Sequence, residues 1–218
     1  MKRSLSLLLC VLVLLTGISG LVIAADTGSV NIADPTLAAA VRQELGLSAS
    51  DSLTLADLRR LEVLDVTDQN IITFAGLEGA VNLRRLTAAN CRLQDATALA
   101  GITSLEALDL SGNSLTDLSF LTDAHRLQQL YLRGTSLESV SGIEKVSSTL
   151  AVLDISQNNV ADLSPLAGLS HLTMLDLSDN PVSDFSAVAG FEKLGVLYAN
   201  SLSLSSASAF SSLSHLQS

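Results

Sequence analysis

Apolar and polar positions along this chain follow a fixed cycle. Between Leu105 and Arg126, LEALDLSGNSLTDLSFLTDAHR, leucine occupies the first, fourth, sixth and eleventh places and asparagine the ninth. Leu118, Leu121 and Ala124 extend the apolar set to places fourteen, seventeen and twenty. Alternation at the fourth and sixth places predicts a short strand with those side chains turned inward and the third, fifth and seventh turned out. One such unit cannot bury its apolar side alone, so copies must stack. Seven copies can be counted: 61–82, 83–104, 105–126, 127–149, 150–171, 172–193 and a degraded 194–215. Constant length returns each strand to the same height, ready to pair with the next at ~4.8 Å. The fourth copy alone has one extra residue, within 146–149, predicted to bulge before Leu150 and leave the register intact.

Three columns define the predicted interior. The sixth place reads Val66, Ala88, Leu110, Leu132, Ile155, Leu177 and Ala199. Each large member is worth roughly 1.5–3 kcal/mol when buried. The ninth reads Gln69, Cys91, Asn113, Thr135, Asn158, Asn180 and Leu202. A buried amide there can satisfy backbone groups that a tight turn would strand away from water. Cys91, inside this ladder, reads as a packing thiol. At the thirteenth place, Asp95, Asp117, Asp162 and Asp184 read as N-caps of short helical turns.

Ahead of the repeats, Asp34-Pro35 opens a helix as cap and first helical residue, and Gly46 closes it. Leu37, Val41 and Leu45 form one narrow apolar stripe, suited to cover the open first rung of a stack. A second short helix follows Thr54, which with Asp57 has the spacing of a capping box.

The pattern LxxLxLxxNxL resembles the leucine-rich repeat. The runs DPTLAAAVRQELG and LTLADLRRLEVLDVTDQNI resemble the helical N-terminal cap of bacterial internalin-type proteins, and the likeness extends from Ile32 to about Leu216. That resemblance implies an α/β leucine-rich-repeat solenoid, with a curved parallel sheet on the concave face, short 3₁₀ or helical turns on the convex face and an α-helical N-terminal cap. It implies adhesion or recognition of another protein, and no chemistry of its own. The division expected is a signal peptide over 1–25, the cap over 26–60, seven repeats over 61–215 and a C-terminal stub, 216–218, without a cap of its own.

Composition narrows the partners. Net charge is −10, and removing residues 1–25, which hold Lys2 and Arg3 but no acid, makes it −12. An acidic body disfavours nucleic acid and anionic lipid surfaces. Lys2 and Arg3, the apolar run Leu5–Leu15 and small residues at Ala24-Ala25 read as an export signal, which places the body in the secreted or cell-envelope compartment. The competing reading is an uncleaved anchor, since no charge interrupts Ser4–Ala25. Only in that case is a membrane a partner. Cys10 lies within this segment, so Cys91 is left without an intrachain disulfide partner.

On the outward ribbon, the fifth place reads Asp65, Thr87, Asp109, Tyr131, Asp154, Asp176 and Tyr198. No histidine shares the column, so its aspartates read as a solvated acidic face and neither a metal site nor a general acid is expected. Departures from the repeat are more informative. Tyr131 and Tyr198 replace aspartate three rungs apart, roughly 15 Å. Arg85 and Arg133 put positive charge on an acidic sheet, and exposed aromatic and Arg side chains dominate interface energies. The expected protein-binding patch is Arg85, Gln129, Tyr131, Arg133, Met174 and Tyr198. His125, His171 and His215 fall in turns with no nucleophile or ligand set by the pattern, and neither a phosphate loop nor paired-Cys zinc spacing occurs. No catalytic residue, metal or cofactor is expected. An uncapped terminal strand is a template for self-association, so a weak homodimer through the C-terminal edge is expected, with a self-assembling envelope or matrix protein as the alternative function.

Overall fold

The computed structural model describes residues 28–202 together with Leu213 and Leu216. The expected signal segment, Cys10, His215 and most of the last repeat and stub lie outside the described residues. Two helices lead: α1, Pro35–Glu44, and α2, Leu55–Leu58. Seven three-residue strands follow: β1 Val63–Asp65, β2 Arg85–Thr87, β3 Ala107–Asp109, β4 Gln129–Tyr131, β5 Val152–Asp154, β6 Met174–Asp176 and β7 Val196–Tyr198. They form one curved parallel sheet in chain order, each third-place residue paired with the next. Five 3₁₀ turns on the convex side, from Thr97–Leu99 to Ser186–Gly190, return the chain between rungs.

The fourth rung shows how the extra residue is absorbed. Elsewhere the first-place N–H bonds the carbonyl three residues back, as Leu127 does to Ala124 and Leu172 to Leu169. Leu150 instead reaches four residues back to Val146, at 3.0 Å. One wider turn takes up the insertion, and Gln129 still pairs with Val152.

Every sixth-place residue from Val66 to Leu177 is fully buried. Ala199 corrects the predicted column: it is only half-buried, as is Leu197, on β7, which among the described residues pairs only with β6. Among the ninth-place residues, Asn113 and Asn180 are buried and span rungs. Asn113 Nδ2 donates to the Ala88 and Leu110 carbonyls, both at 2.8 Å, while its Oδ1 accepts the Leu93 N–H. Asn180 repeats this with Ile155, Leu177 and Val160. Asn158, half-buried, donates to Leu132 and Ile155 and accepts from Thr135 and Leu137. Thr135 is shorter: its hydroxyl donates within its own rung to the Leu132 carbonyl at 2.8 Å and lies 3.2 Å from Asn158 Oδ1 of the next rung. Cys91 reaches Val66 O at 3.3 Å, and burial pushes its thiol pKa up. Gln69 departs from the ladder. It is half-buried, and its side chain makes no hydrogen bond to the described residues, among which no strand precedes β1 to supply the carbonyl that the ladder asparagines reach.

The thirteenth-place aspartates are also corrected by one residue. The N-cap positions are the apolar, buried Ala96, Leu118, Leu163 and Phe185. Asp95, Asp117, Asp162 and Asp184 precede them, and each accepts the N–H two residues on, at 2.7–2.8 Å. Ser119 and Ser164 hydroxyls, then the backbone bond, hold Asp117 and Asp162 below the ordinary carboxylate value; the Ser186 backbone N–H does the same for Asp184. In the first and fourth repeats Thr73 and Ser139 take this place. There Gly76 and Gly142, at φ +103 and +102, donate to Glu78 and Glu144, both at 2.8 Å. Repeats one to three are thus matched at these turn positions, and at Asn113 and Asn180, by repeats four to six.

At the N-terminal end, Asp34 caps α1 through Thr36 and Leu37, with Oδ1 at 2.8 and 3.1 Å. Its Oδ2 accepts the Ile72 N–H of the first repeat at 2.9 Å, and Ala33 N–H bonds Ala75 O. One buried carboxylate therefore starts the helix and fastens it to the stack. The segment before it passes so close to Gly76 that a Cβ there would lie 2.5 Å from Asn31 O. Leu37 and Val41 of α1 are fully buried and Leu45 nearly so. Thr54 and Asp57 close the capping box of α2.

Candidate functional site

The concave face is built from the strand residues that the rungs do not bury. Its fifth-place aspartates are not merely solvated, which corrects the sequence reading. Asp65 Oδ1 accepts the Thr67 N–H at 3.0 Å and its hydroxyl at 2.7 Å, and these bonds, backbone first, lower its pKa. Asp109, Asp154 and Asp176 each accept the N–H two residues on, at 2.9 Å. One oxygen of each thus closes the turn after its strand, a local bond that Asx residues make and tyrosine cannot. Tyr131 and Tyr198 forgo that bond. Their presence answers to something other than the turn.

The next turn holds a column that the sequence reading missed. The eighth places, Asp68, Asn90, Gly112, Gly134, Gln157, Asp179 and Ser201, all lie at φ between 53 and 67°. Asn, Asp and Gly tolerate this left-handed region best, and their recurrence beside the ninth place was the available signal.

Of the expected patch, Arg85, Gln129, Arg133 and Tyr198 are exposed, and Tyr131 and Met174 half-buried. Arg85, Gln129 and Tyr131 line one shallow depression of about 120 Å³ over the small Thr87 and Ala107, with Asp109 beside them. Arg133 lies two residues past Tyr131. Met174 and Tyr198 are not part of this depression; they lie on β6 and β7, in register with Gln129 and Tyr131 respectively.

A neighbouring depression of about 290 Å³ is lined by Glu62, Val63, Arg84, Arg85, Glu106 and Ala107. Here Arg84, also missed from sequence, sets Nε and Nη2 at 3.0 and 2.8 Å from Glu106 Oε1, which raises its pKa. Opposite charges at the second place of adjacent repeats were the sign of it. Arg85 and Arg133 make no ion pair with the described residues.

The two halves of the face differ in chemistry. Over β2–β4 the outward positions include Arg84, Arg85, Glu106, Gln128, Gln129 and Arg133. Over β5–β7 no Lys or Arg occupies the second, third, fifth or seventh place. The third-place residues there are Val152, Met174 and Val196, the last 38% exposed beside Tyr198 at 47%.

Elsewhere little is arranged for chemistry. His125 and His171 are exposed; Ser170 Oγ lies 3.3 Å from its sequence neighbour His171 Nδ1, and no described carboxylate bonds that ring. Among the described residues, no group of three or more His, Cys, Asp or Glu could hold a metal ion.

A leucine-rich-repeat family model matches residues 81–123 and 148–190, two stretches offset by one set of three repeats. The chain belongs to the leucine-rich-repeat proteins. Internalin C2 of Listeria monocytogenes is 30% identical with a TM-score of 0.69, over 88% of this chain and 96% of that one. Within the leucine-rich-repeat proteins, then, the chain is related to bacterial internalin-like proteins. A second Listeria monocytogenes internalin (inlF) shares the fold at 21% identity and TM-score 0.68, over 89% of this chain and 71% of its own. A leucine-rich-repeat protein of Leptospira interrogans does so at 23% and 0.66, over 71% of this chain and 41% of its own. No curated protein sequence gives a match.

Proposed function

We propose that the protein is a non-enzymatic binding module of the internalin type, secreted or held at the cell envelope, that grips another protein with its concave face. One observation carries the reading. At Tyr131 and Tyr198 the chain gives up the aspartate that closes the turn elsewhere and sets exposed or half-exposed aromatic surface on a face otherwise built for solubility. The charged, apolar-cored N-terminal sequence supports the location. Adhesion or recognition is the role that this face suits, since wide, shallow, curved surfaces of repeat arrays bind extended protein surfaces. Self-assembly through the edge beyond β7 is the alternative, and it rests on residues outside the described ones.

Chemical crosslinking and pull-down from the native surroundings tests this, with wild type, Tyr131→Ala, and a control, Glu138→Ala, on an exposed turn. A protein captured by wild type and by the control, but lost with Tyr131→Ala, is the expected result. Equal capture by all three would place the contact elsewhere and sink the proposal.

A further inference from the structure

Resting on that reading, we infer that the concave face is two subsites and takes a bipartite segment of its partner. A carboxylate of that segment meets Arg85. About six extended residues further on, an apolar cluster flanked by lysine or arginine lies across β5–β7.

The charges decide the polarity. Arg84 already spends two N–H groups on Glu106, whereas its neighbour Arg85 makes no ion pair with the described residues, although Glu62, Glu106 and Asp109 line the depressions it borders. Arg85 at the wall of a shallow depression, with Gln129 and Tyr131 on the same lining, suits a planar acidic group. Asp109 on that lining repels a carboxylate and so directs it to the Arg85 side. Four rungs away, roughly 19 Å, the picture inverts. Val152, Met174 and Val196 lie in register as a continuous apolar row. The fifth-place charges beside it are Asp154 and Asp176, each with one oxygen in its turn and the other making no hydrogen bond to the described residues. An apolar row bordered only by negative charge excludes an acidic segment and favours a basic one. Asn113 under the first subsite and Asn180 under the second make equivalent bonds, so the difference between the two surfaces is not one that this ladder requires.

Panning the purified full chain against displayed random peptides of about 12 residues, long enough to span both subsites, tests the division. Enriched sequences are expected to carry Asp or Glu five to seven residues, an interval of about 19 Å, from an apolar pair flanked by Lys or Arg. Arg85→Glu should weaken these peptides at least about fivefold, and repanning on it should replace the acid with a base. Val196→Asp should weaken them similarly and remove the apolar pair. Both variants should keep the wild-type thermal transition, since both side chains are exposed. Absence of enrichment, or enriched peptides indifferent to Arg85→Glu, would overturn the inference. Peptides without charge separation that still lose binding to Tyr131→Ala would overturn the division alone. Peptides insensitive to every concave substitution would overturn the concave-face reading as well.

Discussion

Repeats one to three and repeats four to six solve the same structural problem with the same parts. Asn113 and Asn180 make equivalent bonds, Asp95 and Asp117 answer to Asp162 and Asp184, and Gly76 with Glu78 answers to Gly142 with Glu144. Inward residues change mostly among apolar types, as Val66 to Leu132 and Ala88 to Ile155, while the outward residues change chemistry: Arg84 and Arg85 correspond to Ala151 and Val152, Ala107 to Met174, Asp65 to Tyr131. Where stacking dictates the residue, the two sets agree. Where it does not, they part, and there the binding chemistry is to be sought.

Breaking the shared scaffold should cost most, and equally in both sets. Leu110→Asp or Leu177→Asp puts an unpaired carboxylate into the dry interior and should abolish the cooperative thermal transition. A retained sharp transition in either would contradict the stacking account. Asn113→Ala and Asn180→Ala should each cost about 1–3 kcal/mol by stranding turn groups, read from urea unfolding. Asn158→Ala should fall at the lower end, its site being half-buried. Acid should distinguish less sharply. Asp117 and Asp184 have folded pKa values below the ordinary 3.8, so their contribution is complete above the unfolded value and lost as pH falls through the folded ones. Asp117→Asn and Asp184→Asn should therefore blunt the fall in melting temperature below about pH 4 by similar amounts. Smallest of all should be Tyr198→Ala, within about 0.5 kcal/mol of wild type by the same urea titration.

Much of this fold can be read from the chain because each rung repeats its neighbour's constraints. The cycle length gave away the strand register, the buried columns and the place of the extra residue before Leu150. What stayed hidden depends on shifts of a single residue or on contacts across distant segments. Asp162 beside Leu163 looks like a cap, yet it stands one residue ahead of the cap position and its bond falls on Ser164, the first residue of the turn. The second oxygen of Asp34 meets Ile72, 38 residues away, which no local pattern signals. Gln69 matches asparagine in polarity, but it lies on the first rung, where no described strand precedes β1. On the concave face, Arg85 and Tyr131 stood out as departures from the repeat, while Arg84 needed the pairing of adjacent second places to be noticed.

The loosened loop between Val146 and Leu150 gives the molecule a seam. Excising Ser148 should restore the shorter closure used at the other rungs and leave every neighbouring strand in place. The same joint is where a protein engineer could splice in a further triplet, or a fluorescent tag, and lengthen the arc without disturbing either end of it.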